Sequence, residues 1–67
     1  MTQQDIEWVT NNMLLLTTSR RYAEGELQMI FDIYNRITGE NKKTTGCGRC
    51  IETTKKRVKL EYDKARD

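Results

Sequence analysis

A chain of 67 residues with 36% apolar side chains, 33% charged ones and a formal net charge of +2 is too apolar for a disordered tail. It is also too short to bury more than about 60% of the surface that its unfolded form exposes. No stretch reaches the roughly 18 apolar residues of a membrane span, and the opening MTQQDIEW lacks the basic start and apolar centre of a secretory signal. One domain over residues 1–67, no membrane segment and a cytoplasmic compartment are the expectations, and a domain this small commonly leans on a staple or a partner surface.

The first helix is predicted to start at Thr2, whose hydroxyl can cap free amides while Asp5 favours the positive end of the helix. Ile6, Val9, Met13 and Leu16 recur at helical spacing, and Trp8, Leu14 and Leu15 widen that face, so burial on more than one side is expected. The run Thr17, Thr18, Ser19 is a break at which Thr18 or Ser19 can cap a second helix.

Ala23, Leu27, Ile30, Tyr34 and Ile37 carry the second helix, with Phe31 beside that stripe and Gly39 as its stop. Leu27, Ile30, Phe31 and Tyr34 are the expected core. Gly25 marks either a close helix crossing or a delayed helix start.

A third helix should open near TTGCGRC, residues 44 to 50, and run to about Ala65. Its stripe is narrow: Cys47, Ile51, Thr54, Val58 and Tyr62, with Cys50 at the border, and its far end is the less secure part. Leu60 points nearly opposite Ile51 at about 100° per residue. With no strand pattern or repeat, the fold class is all-α: a small three-helix unit, a helical hairpin plus a basic C-terminal helix.

Charge divides along the chain. Residues 1–39 carry a net −2, whereas residues 40–67 carry nine basic and five acidic residues. Lys42, Lys43, Arg49, Lys55, Lys56 and Lys59, together with Leu60, are the candidate contacts for an acidic protein surface or a phosphate backbone. Pairings of Glu52 with Lys56 and of Lys59 with Asp63 at i, i+4 spacing point to a solvated helix more than a DNA-reading face. The glycines of KKTTGCGR leave free amides near cations, yet no GxxxxGK[ST] or GxGxxG pattern is present.

The pair Cys47 and Cys50 admits several readings. Two small apolar anchors at the helix entry is the favoured one. A metal site is the second: structural zinc takes four nitrogen or sulfur ligands, and the chain has two cysteines and no histidine, so zinc is expected only if shared between chains or with a partner. A redox pair is the third, because a helix start and Arg49 favour a Cys47 thiolate. No nucleophile with a neighbouring base stands at a recognisable spacing, and a non-enzyme with no cofactor is expected.

The run IYNRITGENKKTTGCGRCIETTKKRVK, residues 33 to 59, resembles small proteins encoded by tailed bacteriophages of Bacteroidota hosts. The likeness lies in a tyrosine-asparagine helix end, a short polar loop and a Cys-x-x-Cys opening a basic helix. It implies a phage accessory protein, virion-associated or involved in packaging, in the host cytoplasm or the virion. The expected function is thus a helical interaction protein docking on a larger partner such as a phage structural protein. A nucleic-acid-associated protein using the basic half and a homodimer bridged by zinc at the cysteines are the alternatives.

Overall fold

In a computed structural model that describes residues 1–18 and 21–66, the chain folds as four helices: α1 (Gln3–Asn11), α2 (Met13–Thr17), α3 (Glu26–Thr38) and α4 (Gly48–Arg66). Among the described residues there is no strand, and no helix is long and apolar enough to cross a membrane. The all-α expectation holds, with four helices in place of three.

The extra division falls at Asn12. Its side chain donates to the Trp8 carbonyl at 2.8 Å and its own N–H to the Val9 carbonyl at 3.1 Å, so a polar side chain and a tightened turn replace the continuing helical ladder. The leucine run that follows is turned by this break. Leu16 is buried and Leu15 half-buried, but Leu14 stands 70% exposed, so the expectation that Leu14 widens a buried face is corrected.

Local caps behave as their residue types require. The Asp5 N–H donates to the Thr2 hydroxyl at 3.1 Å, which fixes the start of α1. The second predicted helix begins late, at Glu26, because Gly25 takes a left-handed conformation (φ 86°) immediately before it, and Ala23 is left outside the helix and exposed. Gly39 (φ 76°) closes α3 by donating its N–H to the Asn35 carbonyl at 2.8 Å. Thr18 caps no following helix; its hydroxyl donates back to the Leu14 carbonyl at 3.3 Å. The alternative cap, Ser19, lies outside the described residues.

The core gathers Val9 of α1, Leu16 of α2, Ile30, Ile33 and Tyr34 of α3, and Val58 and Tyr62 of α4. Phe31 and Ile51 are buried as well, whereas Leu27 is only half-buried. Ile33, which lies off the expected stripe, is fully covered because α3 is packed on more than one side.

Helix α4 is buried along one side from Ile51 to Tyr62, and residues 63–66 beyond that stretch are exposed. Val58 and Tyr62 are closed to solvent and the Tyr62 hydroxyl shares a hydrogen bond with Thr10 at 2.6 Å, while Cys47 and Arg49 lie exposed at the other end. The helix is therefore held from Ile51 to Tyr62, between an open start and an exposed last turn. A narrow stripe suffices there because Tyr62 supplies a large buried ring as well as a polar tip with a partner.

Two charged groups are also enclosed. Asp5, 3% exposed, receives both Nη2 (2.6 Å) and Nε (3.2 Å) of Arg36, which ties the start of α1 to the end of α3. Burial alone would raise the Asp5 carboxyl, but the hydrogen bond and charge of Arg36 and the bonds to Thr2 outweigh it and hold the group below the usual carboxylate range. Lys55 is the second: only 2% exposed, it donates to the Tyr22 hydroxyl at 2.9 Å and to Glu52 Oε1 at 3.4 Å.

Candidate functional site

The segment joining α3 to α4 is held from the α3 side. Asn35 bonds both backbone groups of Lys42, donating Nδ2 to the carbonyl and accepting the N–H on Oδ1, each at 2.9 Å. The neighbouring Tyr34 hydroxyl donates to Glu40 Oε2 at 2.7 Å, and Lys42 Nζ lies 4.9 Å from the centroid of the Tyr34 ring. The bond to Glu40, reinforced by burial, pushes the Tyr34 hydroxyl above its ordinary value. Farther along, the Thr44 hydroxyl donates to Gln28 Oε1 at 2.9 Å. The tyrosine-asparagine pair at the end of α3 thus fixes where the polar loop leads, and it leads to the cysteine turn.

At that turn Cys47 serves as the N-cap of α4. Its carbonyl accepts the Ile51 N–H at 2.9 Å, its Sγ accepts the Cys50 N–H at 3.4 Å, and its own N–H is bound to the Thr45 hydroxyl at 3.2 Å. Both thiols are free, Cys47 exposed and Cys50 half-buried. The Cys47 thiol is held below its ordinary value, first by its hydrogen bond with the Cys50 thiol and then by the Cys50 backbone. That of Cys50 is raised by the same contact and by desolvation. The reading of Cys47 as a buried apolar anchor is corrected: its sulfur occupies the capping position outside the core. Among the described residues no cluster of three or more His, Cys, Asp or Glu side chains forms around the pair.

The basic candidates fall into two groups. Lys59 donates to Asp63 at 2.9 Å, as its spacing predicts, while Arg57 and Lys64 lie 3.3 and 3.7 Å from the same Glu61 oxygen. Lys55 is corrected from a surface contact to a buried group, and it takes the Glu52 carboxylate that the i, i+4 rule assigns to Lys56. Its Nζ also lies 5.4 Å from the centroid of the Tyr22 ring. Spacing alone does not reveal this burial, because Tyr22 comes from the segment before α3.

Lys43, Arg49 and Lys56 make no ion pair among the described residues, and all three are exposed. Arg49 and Lys56 are seven residues apart and share a face of α4 with Leu60, which is 50% exposed. Leu60 lines an open groove of about 400 Å³ with Leu16, Thr17, Glu52, Lys56, Lys59 and Asp63. The structure thus joins Lys56, Lys59 and Leu60 into one feature, and it adds Leu16 of α2, which the sequence places only in the core. The remaining loop cations, Lys42 and Lys43, sit apart from it, toward the end of α3.

No family model, curated protein or solved structure matches this chain.

Proposed function

We propose that this chain is a non-enzymatic helical interaction protein that docks on a larger protein partner through the outer face of α4. Leu60 is its apolar anchor, and Arg49 and Lys56 are the cations that meet acidic side chains. The observation that carries this reading is Leu60, which stands half-exposed over a groove walled by Leu16 while Ile51, Val58 and Tyr62 of the same helix are buried. A large apolar side chain beside an apolar wall gains most from a partner that covers it.

Charge selects the occupant. Lys59 at the groove is satisfied by Asp63, and Glu52 is drawn to Lys55, so the uncompensated charge at the rim is the ammonium of Lys56, with Arg49 along the same stripe. An amphipathic helix presenting carboxylates around one large apolar residue complements this surface. Nucleic acid fits it less well: Lys55, Arg57, Lys59 and Lys64 are already drawn to carboxylates, and an exposed leucine gains nothing from a phosphate backbone. The resemblance of residues 33 to 59 to phage-encoded proteins supports a phage structural component as the larger partner.

A synthetic acidic amphipathic helical peptide and a DNA duplex of arbitrary sequence are suitable probes, with binding followed by fluorescence anisotropy. Leu60→Asp should weaken peptide binding at least about tenfold with an unchanged far-ultraviolet circular dichroism spectrum. Raising salt from about 0.05 to 0.2 M should cost less than about tenfold. Peptide binding indifferent to Leu60 overturns the reading. So does DNA binding that collapses over that salt range and depends on Lys56 but not on Leu60, and that result would select the nucleic-acid alternative.

A further inference from the structure

The docking face leaves the cysteine turn without a role, and the geometry of that turn suits a specific chemistry. Cys47 and Cys50 occupy the N-cap and the third position of α4, with the Cys47 sulfur resting 3.4 Å from the Cys50 amide. In ideal helical geometry Cα atoms three residues apart lie about 5 Å from one another. That separation lies within the Cα range that disulfides bridge. The two thiols also differ in access: Cys47 is open to solvent and Cys50 is partly covered. Gly46 and Gly48 flank Cys47 and add no side chain beside it, and a Cβ placed on either would meet no atom within 4 Å.

We propose that Cys47 and Cys50 form a reversible dithiol/disulfide pair that exchanges with small disulfides of the glutathione type, Cys47 attacking and Cys50 resolving. The assignment of roles follows from access and from charge. Cys47 is the sulfur an incoming disulfide can reach, and its amide contact and place at the positive end of α4 favour the thiolate that attacks. The directions in which the two thiols are displaced agree with this: that of Cys47 is lowered by its contact with Cys50, and that of Cys50 is raised. The partly covered thiol is thus the weaker acid of the two.

The exchange balances with the small disulfide as oxidant. The Cys47 thiolate, having given its proton to water, attacks one sulfur of the small disulfide. The new sulfur–sulfur bond forms as the old one breaks, and the first small thiolate leaves and takes up a proton. Cys50 then gives its proton to water and attacks Cys47 Sγ in the mixed disulfide, expelling the second small thiolate, which is protonated in turn. The two protein thiols lose two electrons and two protons in all, and one small disulfide becomes two small thiols. The reaction runs backward when the small thiol is in excess. The bond closes within the first turn of α4, so oxidation alters the chemistry at the mouth of that turn.

The test uses the full chain, reduced and then incubated at neutral pH with glutathione disulfide in about tenfold excess over reduced glutathione. Free thiols are then alkylated with iodoacetamide and intact masses read. The wild-type chain should lose two hydrogens, resist alkylation at both cysteines and remain a single chain on a nonreducing gel. Cys50→Ser should stop at a glutathione adduct on Cys47. Without glutathione, Cys47 in Cys50→Ser should alkylate at least about threefold faster than Cys50 in Cys47→Ser. Circular dichroism of both variants checks that the fold is kept. Thiols that stay free, oxidation that yields only disulfide-linked pairs of chains, or a rate ratio below about threefold each overturn the proposal.

Discussion

The two ends of α4 are built for opposite purposes. The far end carries Val58 and Tyr62, both closed to solvent, and the Tyr62 hydroxyl is shared with Thr10 of α1 at 2.6 Å and receives Arg66 at 3.2 Å. The near end carries Cys47 and Arg49 in the open, positioned by a loop that Tyr34 and Asn35 secure from another helix. A helix of 19 residues can be anchored from Ile51 to Tyr62 and still leave Cys47 and Arg49 at its start accessible. The difference shows how a chain this small keeps reactive groups outside a core that it must keep closed. Stability is concentrated where the side chains are large and buried, and chemistry is placed where little packing depends on it.

The largest effect should come from the anchored end. Tyr62→Ala removes a buried ring and leaves Thr10 and Arg66 without the hydroxyl they share, and should cost about 3–5 kcal/mol. Phe31→Ala, at a site of zero exposure in α3, should cost about the same. For a domain this size either loss approaches the whole of its stability. Thermal unfolding followed by circular dichroism checks both, and a cooperative transition at the wild-type temperature in Tyr62→Ala would break the contrast between the two ends.

Next in size is the tie between α1 and α3. Asp5→Asn removes a buried carboxylate that Arg36 grips with two nitrogens, and should cost about 1–3 kcal/mol, held down because the Arg36 side chain is itself 48% exposed. The pH dependence has a definite sign. The folded-state carboxyl is lowered relative to an unfolded aspartate near pKa ~3.9, so the unfolded chain binds the proton more readily. The stabilisation is therefore present above about pH 4 and is lost as pH falls through the folded value. Urea unfolding between about pH 6 and 3 should show a steeper decline for the wild type than for Asp5→Asn, and parallel curves would remove Asp5 from the account.

Much of this arrangement is legible in the sequence because it is local. The cap at Thr2, the stop at Gly39 and the stripe of Ile51, Thr54, Val58 and Tyr62 depend on residue type and spacing within one turn or one helix and stand where those rules place them. Cys47, expected at the head of that stripe, is exposed. What is not legible joins distant elements. Arg36 and Asp5 are 31 residues apart and Lys55 and Tyr22 are 33 apart, and no helical period relates either pair. Lys55 reads as one more surface cation until the segment before α3 brings Tyr22 over it. The break at Asn12 is local, yet the apolar run from Met13 to Leu16 masks it, since an unbroken stripe of helical period passes through the same residues. The docking face is half-legible: the outward placement of Leu60 follows from helix geometry, but the groove needs Leu16 of α2.

Lys55 offers a subtler test. Replacing it with methionine keeps most of its volume and removes a charge that has been taken out of water, so Lys55→Met should change stability by no more than about 1 kcal/mol in either direction. A surface reading of Lys55 as a binding cation predicts weaker association with the acidic peptide in this variant, whereas its burial predicts none. Anisotropy titration of Lys55→Met beside Lys56→Gln separates the two: only the second should lose affinity.

The smallest effect belongs to the open end. Cys47 contributes to folding through its capping contacts, since its side chain is exposed and its sulfur accepts one long amide bond at 3.4 Å. Serine is the better cap, because a hydroxyl oxygen accepts an amide more strongly than a thiol sulfur, so Cys47→Ser should leave the melting temperature within about 3 °C of wild type or raise it slightly. Alanine keeps the backbone and loses the acceptor, so Cys47→Ala should lower the melting temperature by about 3–6 °C. The order serine, cysteine, alanine is what a capping role demands. An apolar anchor demands the reverse, with alanine tolerated better than serine because a buried hydroxyl would need a partner. Differential scanning calorimetry of the three reduced proteins distinguishes the two orders, and an alanine variant more stable than the serine one would return Cys47 to the core.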